Sequence, residues 1–277
     1  MAAQQADKNK KFGTFLGVYT PSILTILGLI MYLRFGWVVG NLGLILTIVV
    51  VLLASSITFI TGLSASAIAT NIRVGVGGEY YLISRSLGLE PGGAIGIPLY
   101  LSRTLSVTFY AFGLSESILA LWPETWGLMP GYSMQLLAAA IIIIITLLSG
   151  KSASLALKAQ IPIMIFVGLS ILALIGGVLM HDFKSPEFTP TYRTAPEGFW
   201  YVFAVFFPAV TGFTAGIGMS GDLKSPRKSI PKGTLGAVIS GAVLYMIIPV
   251  ILSITILLNG DDLADPNAGI AIWTRVA

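Results

Sequence analysis

Two interrupted stretches within apolar runs carry residue types that can bind ions inside a membrane. The first is Thr25-Ile26-Leu27-Gly28, and the second covers residues 206–222, where Pro208 is followed by four glycines. Proline cannot donate to the helical ladder and glycine is a poor helix former, so both stretches should break a helix. Broken backbone at membrane depth is tolerated only where it is buried in protein or lines a watery site. We therefore interpret the two stretches as halves of a transport site.

The first break offers both carbonyl and N–H groups. A half-helix that ends within the membrane presents free carbonyls, which attract a cation; one that starts there presents free N–H groups, which attract an anion. Thr25 and Ile26 would supply the carbonyls, and Gly28, Leu29 and Ile30 the N–H groups.

The second break offers a similar set. Pro208 would supply a carbonyl and Thr211 a hydroxyl, and a new half-helix would begin with Gly212, Phe213 and Thr214. Neither break contains a carboxylate. A cation bound there would need a neighbouring anion, which favours a salt over a lone cation.

The composition requires that the elements around these breaks lie in lipid. The 277 residues are 55% hydrophobic and 10% charged, whereas soluble proteins carry about 25% charged residues. The absence of cysteine excludes disulfides and thiolate metal sites. Basic residues lie between apolar runs and form no stripe, so nucleic acid is not an expected partner. No cofactor fingerprint, metal cluster or nucleophile–base set is present, so neither an enzyme nor a resident cofactor is expected, and the only metals would be transported alkali ions.

Seven apolar runs are long enough to be read as spans, which predicts an all-α polytopic membrane protein. The runs cover residues 12–40, 42–69, 92–122, 134–148, 161–180, 199–221 and 235–258. The first eleven residues form a predicted cytoplasmic tail, and residues 12–277 form a partial transport domain that ends at the start of an eighth span.

The basic residues in the linkers predict how the chain is oriented in the membrane. With the N-terminus inside, the cytoplasmic segments hold Lys8, Lys10, Lys11, Arg73, Arg85, Lys151, Lys158, Lys224, Arg227, Lys228 and Lys232. The external segments hold only Lys184 and Arg193. Cytoplasmic loops carry the excess of lysine and arginine, so this arrangement is favoured over its inverse.

The two breaks lie in the first and sixth spans. Matched interruptions five spans apart indicate an inverted repeat of five plus five helices, with the substrate site where the broken helices meet. The alternative is that proline and glycine only kink two packing helices, since both are common in membrane spans.

At these residues the chain resembles the cation-chloride cotransporters of the amino acid–polyamine–organocation superfamily. The passages that carry the resemblance are ILGLIMYLR (26–34) with WVVG (37–40), SAIATN (66–71) with GGEYYLISRSLG (77–88), FFPAVTGFTAGIGMSGD (206–222) and IPKGTL (230–235). The resemblance implies the five-plus-five fold with broken helices 1 and 6, of which this chain looks like the N-terminal portion, cut after helix 7. It also leaves a homodimer open.

The resemblance assigns ions to the two breaks. Its potassium site matches Thr25, Ile26, Tyr110, Pro208 and Thr211. Its upper chloride site matches the amides of Gly28, Leu29 and Ile30, and its lower chloride site those of Gly212, Phe213 and Thr214. A tyrosine on span ten, absent from this sequence, completes the lower chloride site in the family. Its sodium site matches carbonyls of Leu24 and Leu27, with serines on span eight that are also absent here.

Two positions depart from the family pattern, and three charged residues could supply a fixed charge or form a gate. The family usually has asparagine where this chain has Thr25, and a small or amide residue where it has Arg103. An arginine within a span is costly and suggests function. Arg103 could pair with another helix, lie in the anion path, or supply fixed charge in place of potassium. Glu116 could pair with Arg34 or face solvent, and Asp222 could cap a helix or form a gate ion pair.

The leading function is symport of chloride with potassium and/or sodium by alternating access, in the plasma membrane. An amino acid or organocation permease of the same fold is the second candidate, although such permeases typically show a Gly-x-Gly break that Thr25-Ile26-Leu27-Gly28 lacks. A truncated, non-transporting membrane subunit is the third.

Overall fold

Helices form almost all of the regular structure in the computed structural model, which describes residues 11–72, 74–122, 131–151, 153–186, 195–266 and 268–276. Most of the predicted tail, together with Lys8, Lys10, Arg73 and Arg193, lies outside these residues. The extended contacts recorded within them are two isolated bridges, Phe12 with Leu223 and Phe183 with Thr255. The predicted all-α class is therefore confirmed.

The first and sixth spans are each assembled from short segments. The first runs through a π-helical turn, Phe15–Tyr19, then α1 (Thr20–Ile26) and α2 (Leu29–Leu33). The sixth contains α8 (Phe199–Phe206), a 3-10 turn Phe207–Val210, α9 (Ala215–Gly218) and a 3-10 turn Ser220–Asp222.

The other helices are mostly longer. They are α3 (Phe35–Asn71), α4 (Gly78–Leu87), α5 (Leu89–Ala120), α6 (Ser133–Lys151), α7 (Ala153–Leu179), α10 (Pro226–Ile254), α11 (Gly260–Ala264) and α12 (Gly269–Val276). Within α3 the backbone of Gly43 has a φ of 70°, so this helix is two helices joined at a kink. That kink lies just inside the predicted second span, close to its boundary with the first.

Six helical segments of the described chain are long and apolar enough to cross a membrane. The third predicted span, α5, is not one of them, although its 32 residues extend about 48 Å. Its sequence includes Glu90, Arg103 and Glu116 and several hydroxyl residues, which lower its hydropathy. Apolar side chains such as Ile143, Leu147 and Phe166 are exposed on the outer helices, as expected for a multi-pass membrane protein.

Two helices begin before the apolar runs that they contain. The fifth helix, α7, begins at Ala153, so Pro162 lies inside it. The seventh begins at Pro226 because proline is tolerated in the first helical turn, where no N–H donor is needed. The predicted basic linker therefore forms the first two turns of α10.

The first span packs closely against the seventh through glycines of α10. A Cβ on Gly233 would lie 2.5 Å from Val18, and one on Gly241 would lie 2.6 Å from Ile26. Next to this contact, the fully buried rings of Phe35, Phe206 and Tyr245 pack together with centroids 5.3–5.5 Å apart. This core fixes the first and sixth spans against a common support.

Candidate functional site

The first span is broken where the sequence predicts. α1 ends at Ile26, Leu27 donates its N–H to the Ile23 carbonyl at 2.8 Å, and Gly28 is extended with φ −100° and ψ −142°. The carbonyl oxygens of Leu24 and Thr25 lie 3.3 Å from the position a Cβ on Gly28 would take.

The N–H groups after this break lack the usual helical acceptors. The Gly28 N–H has no acceptor among the residues described. Leu29 and Ile30 form the first turn of α2, where N–H groups have no intrahelical acceptor. The break thus brings carbonyl and N–H groups to one place, as the sequence predicts.

The sixth span is broken at Thr211 and Gly212. Thr211 is extended, and Gly212 has a φ of 85°, which favours glycine. The Pro208 carbonyl accepts the Thr211 N–H at 3.3 Å and the Thr211 hydroxyl at 2.8 Å. In the described chain the N–H groups of Gly212, Phe213 and Thr214 have no acceptor.

The predicted half-helix after this break is reduced to a single turn. α9 covers only Ala215–Gly218, and a 3-10 turn follows at Ser220–Asp222. Met219, with φ −83° and ψ 9°, separates them. Three glycines within seven residues explain the short helix, because each costs about 1 kcal/mol relative to alanine.

Side chains of α1 connect the two breaks directly. The Thr25 hydroxyl lies 2.8 Å from the Gly212 carbonyl, and its hydrogen is shared with two carbonyls of its own helix. The Ser22 hydroxyl donates to the Phe213 carbonyl at 2.7 Å and accepts the Gly216 N–H at 3.2 Å. Sequence reasoning missed Ser22 as a site residue, although its position three residues before Thr25 places both on one helix face.

Tyr245 of α10 also contacts both breaks. Its hydroxyl donates to the Ile26 carbonyl and lies 3.5 Å from the Ala209 carbonyl, and the side chain is fully buried. One acceptor position of Ile26, a predicted cation ligand, is therefore occupied. Sequence reasoning missed Tyr245 because nothing nearby in the chain marks its partner, which lies 219 residues away.

A cavity of about 470 Å³ adjoins the first break. Leu24, Leu27, Gly28, Leu29 and Tyr110 all line it. The structure thus brings Tyr110 to the first break, beside Gly28 and Leu29, whereas the resemblance groups it with Thr25 and Ile26. The predicted residues Thr25, Ile26 and Ile30, and those of the sixth span, do not line this cavity. The contact between Thr25 and Gly212 connects the first break to the sixth span.

Arg103 pairs with another helix, as one prediction proposed. Its guanidinium donates to the Glu79 carboxylate of α4 and, at 2.9 Å, to the hydroxyl of Thr214 in the sixth-span break. Glu79 was not a predicted site residue. Its position in α4, 24 residues before Arg103, gives no periodic signal.

The other two predicted charged residues lie elsewhere. Glu116 forms an ion pair with Arg34 at 2.9 Å, the partner that the sequence suggested. The Asp222 carbonyl accepts the Phe12 N–H at 2.8 Å, and its exposed side chain forms no ion pair within the described part of the chain. The structure therefore does not show Asp222 in a gate ion pair.

Comparison with known proteins gives matches along most of the chain. The amino acid permease family model matches residues 17–272. Solute carrier family 12 member 2 of Mus musculus is 39% identical over 252 residues, covering 85% of this chain and 21% of its own length. Solute carrier family 12 member 1 of Oryctolagus cuniculus is 36% identical, covering 88% of this chain and 24% of its own.

A third relative, an uncharacterized transporter of Schizosaccharomyces pombe, is 32% identical over 273 residues, or 88% of this chain and 26% of that protein. The chain thus spans about a quarter or less of the curated relatives it matches. The predicted resemblance to the cation-chloride cotransporters is confirmed. The chain belongs to the amino acid permease family of membrane transport proteins.

Proposed function

We propose that the protein is a secondary active transporter that symports chloride with potassium and/or sodium by alternating access. The observation that carries the proposal is the junction of the two breaks, where Thr25 contacts Gly212 and unpaired N–H groups lie on both sides. Carbonyls and N–H groups side by side suit a cation and an anion together. The similarity to solute carrier family 12 members supports the same conclusion.

In this proposal the cation is held by oxygen atoms from three spans. Thr25 and Pro208 contribute their carbonyls, and Tyr110 and Thr211 contribute their hydroxyls. The Ile26 carbonyl has one acceptor position fewer for the cation, because it accepts the Tyr245 hydroxyl. Leu24 and Leu27 would contribute carbonyls to a sodium site. Alkali cations in membrane proteins are commonly coordinated by carbonyl oxygens that replace their hydration shell.

Chloride is held in the proposal by backbone N–H groups. Gly28, Leu29 and Ile30 form the upper set, and Gly212, Phe213 and Thr214 the lower set. The positive ends of broken helices in transporters face anionic groups in the same manner. We also propose a plasma-membrane location, a cytoplasmic N-terminus and association as a homodimer.

An amino acid or organocation permease is the second candidate, because the matching family model carries the description amino acid permease. The carboxylate of an amino acid would then occupy the N–H groups assigned here to chloride. The two candidates share the fold and differ in the anionic substrate.

Ion flux into proteoliposomes distinguishes the candidates. Rubidium, as a potassium surrogate, should enter only when chloride is present, and replacing chloride with gluconate should abolish the flux. Protein-free liposomes provide the background. Uptake of amino acids without dependence on chloride would overturn the symport proposal and support the permease.

A further inference from the structure

Arg103 connects three elements near the sixth-span break. One guanidinium nitrogen donates to Glu79 of α4 and to the Thr214 hydroxyl, while Arg103 itself belongs to α5. A guanidinium has five N–H donors in a fixed fork and stays charged at all accessible pH. The side chain can therefore hold an anionic group and a hydroxyl at once.

The Glu79 carboxylate is an anion already bound beside the break. Its side chain is only 16% exposed, and Arg103 neutralises its charge. Thr214, which shares the guanidinium, also has a backbone N–H without an acceptor among the described residues, as do Gly212 and Phe213. A mobile anion drawn to these N–H groups would gain little attraction from Arg103, because Glu79 neutralises its positive charge. The Glu79 carboxylate would also repel the anion.

We propose that Glu79 is a tethered anion that competes with the transported chloride for Arg103. The inference rests on the proposed function and adds to it a residue that limits occupancy of the anion site. With Glu79 in place, the positive charge of Arg103 is unavailable. When chloride binds and Glu79 withdraws, the guanidinium and the Thr214 hydroxyl face the bound anion.

The position of Glu79 links this exchange to the end of the sixth span. Glu79 is the second residue of α4, which begins after Gly77 (φ 124°) and with Gly78 (φ 55°). The Gly78 N–H donates to the Ser220 hydroxyl at 3.2 Å, and that hydroxyl donates to the Gly75 carbonyl at 2.8 Å. A shift of Glu79 would therefore disturb the hydrogen bond between Gly78 of α4 and Ser220. In this way anion binding would be coupled to the packing of α4 against the end of the sixth span.

Chloride titration of the purified protein tests the proposal without relying on flux. Thermal stability is measured against chloride concentration, with gluconate keeping the ionic strength constant. Glu79→Gln, which keeps the shape and removes the charge, should lower the half-maximal chloride concentration about fivefold, as expected for loss of one partly exposed charge interaction. Arg103→Gln should raise it by a similar factor. Glu90→Gln, which removes an exposed carboxylate at the start of α5, should leave it unchanged.

The outcomes separate this proposal from the function on which it rests. Chloride stabilisation of the wild type with no difference for Glu79→Gln would overturn the tethered anion and leave symport standing. No chloride effect on the wild type would overturn both. If Glu79→Gln does not yield monodisperse protein, Glu79→Asp replaces it. Asp keeps the charge on a shorter side chain, so the half-maximal concentration should fall by a smaller factor; an unchanged value overturns the proposal.

Discussion

At the scale of single residues, Thr211 and Pro208 are two proposed cation ligands that lie next to each other. Their hydroxyl and carbonyl oxygens lie 2.8 Å apart, close enough for both to contact one cation. Thr211→Ala removes one of the two and should raise the cation concentration for half-maximal flux about threefold to tenfold. Thr211→Ser keeps the hydroxyl and is the matched control. An unchanged cation dependence for the alanine variant would remove Thr211 from the proposed ligands.

Tyr245 gives a prediction about stability. Tyr245→Phe leaves the ring packing of the aromatic cluster and removes the hydrogen bond to the Ile26 carbonyl, at a fully buried position. The carbonyl loses its donor, which costs about 1–3 kcal/mol. The melting temperature in detergent should fall by at least about 2 °C.

Tyr19→Phe serves as the control for Tyr245→Phe. The Tyr19 hydroxyl makes a longer bond, 3.3 Å to Ser240, at a partly exposed position. Its loss should lower the melting temperature less. Equal melting temperatures for the two variants would contradict a structural role for the bond from Tyr245 to Ile26.

At the scale of elements, the two breaks depend on a glycine at position 212. A Cβ there would lie 2.9 Å from the Cβ of Thr25, and the positive φ adds strain for any other residue. Gly212→Ala should separate α1 from the sixth-span break and reduce rubidium flux by more than about tenfold, because ion ligands must keep their relative positions.

Gly218→Ala is the control for this prediction. It lies on the same span, has no atom within 4 Å of an added Cβ and is exposed. Its flux should stay near that of the wild type. A Gly212→Ala variant with normal flux would show that the close approach of the two breaks is not required for transport.

The sequence was sufficient to locate these breaks but not to describe how they are connected. Pro208, Gly28 and Gly212 act through local backbone chemistry, which the chain itself displays. The contacts of Ser22, Tyr245 and Glu79 join positions 24 to 219 residues apart and depend on tertiary packing. The short length of α9 is different, because its three closely spaced glycines are visible in the sequence and their combined cost was not taken into account.

At the scale of the whole molecule, hydrogen bonds between loops define two groups of loops, which lie at opposite ends in the predicted topology. At one end Glu197 donates to Asn41, and Lys184 donates to the Ile254 and Leu258 carbonyls. At the opposite end, Phe12 donates its N–H to the Asp222 carbonyl and accepts the Lys224 N–H. The Arg227 side chain there donates to the Ile72 carbonyl. The basic residues concentrate in the second group of loops, which favours the cytoplasmic side for it.

Cysteine labelling in intact cells tests this orientation, and the chain is suited to it because it contains no cysteine. Lys228 lies near the start of α10 and Asp261 in α11, and both side chains are exposed. A membrane-impermeant maleimide should label Asp261→Cys in intact cells and Lys228→Cys only after permeabilisation, because one span separates them and positive charge favours the cytoplasm. The unmodified protein gives the background. The reverse pattern would invert the proposed topology, and with it the side from which chloride would reach Glu79 and Arg103 in the proposed mechanism.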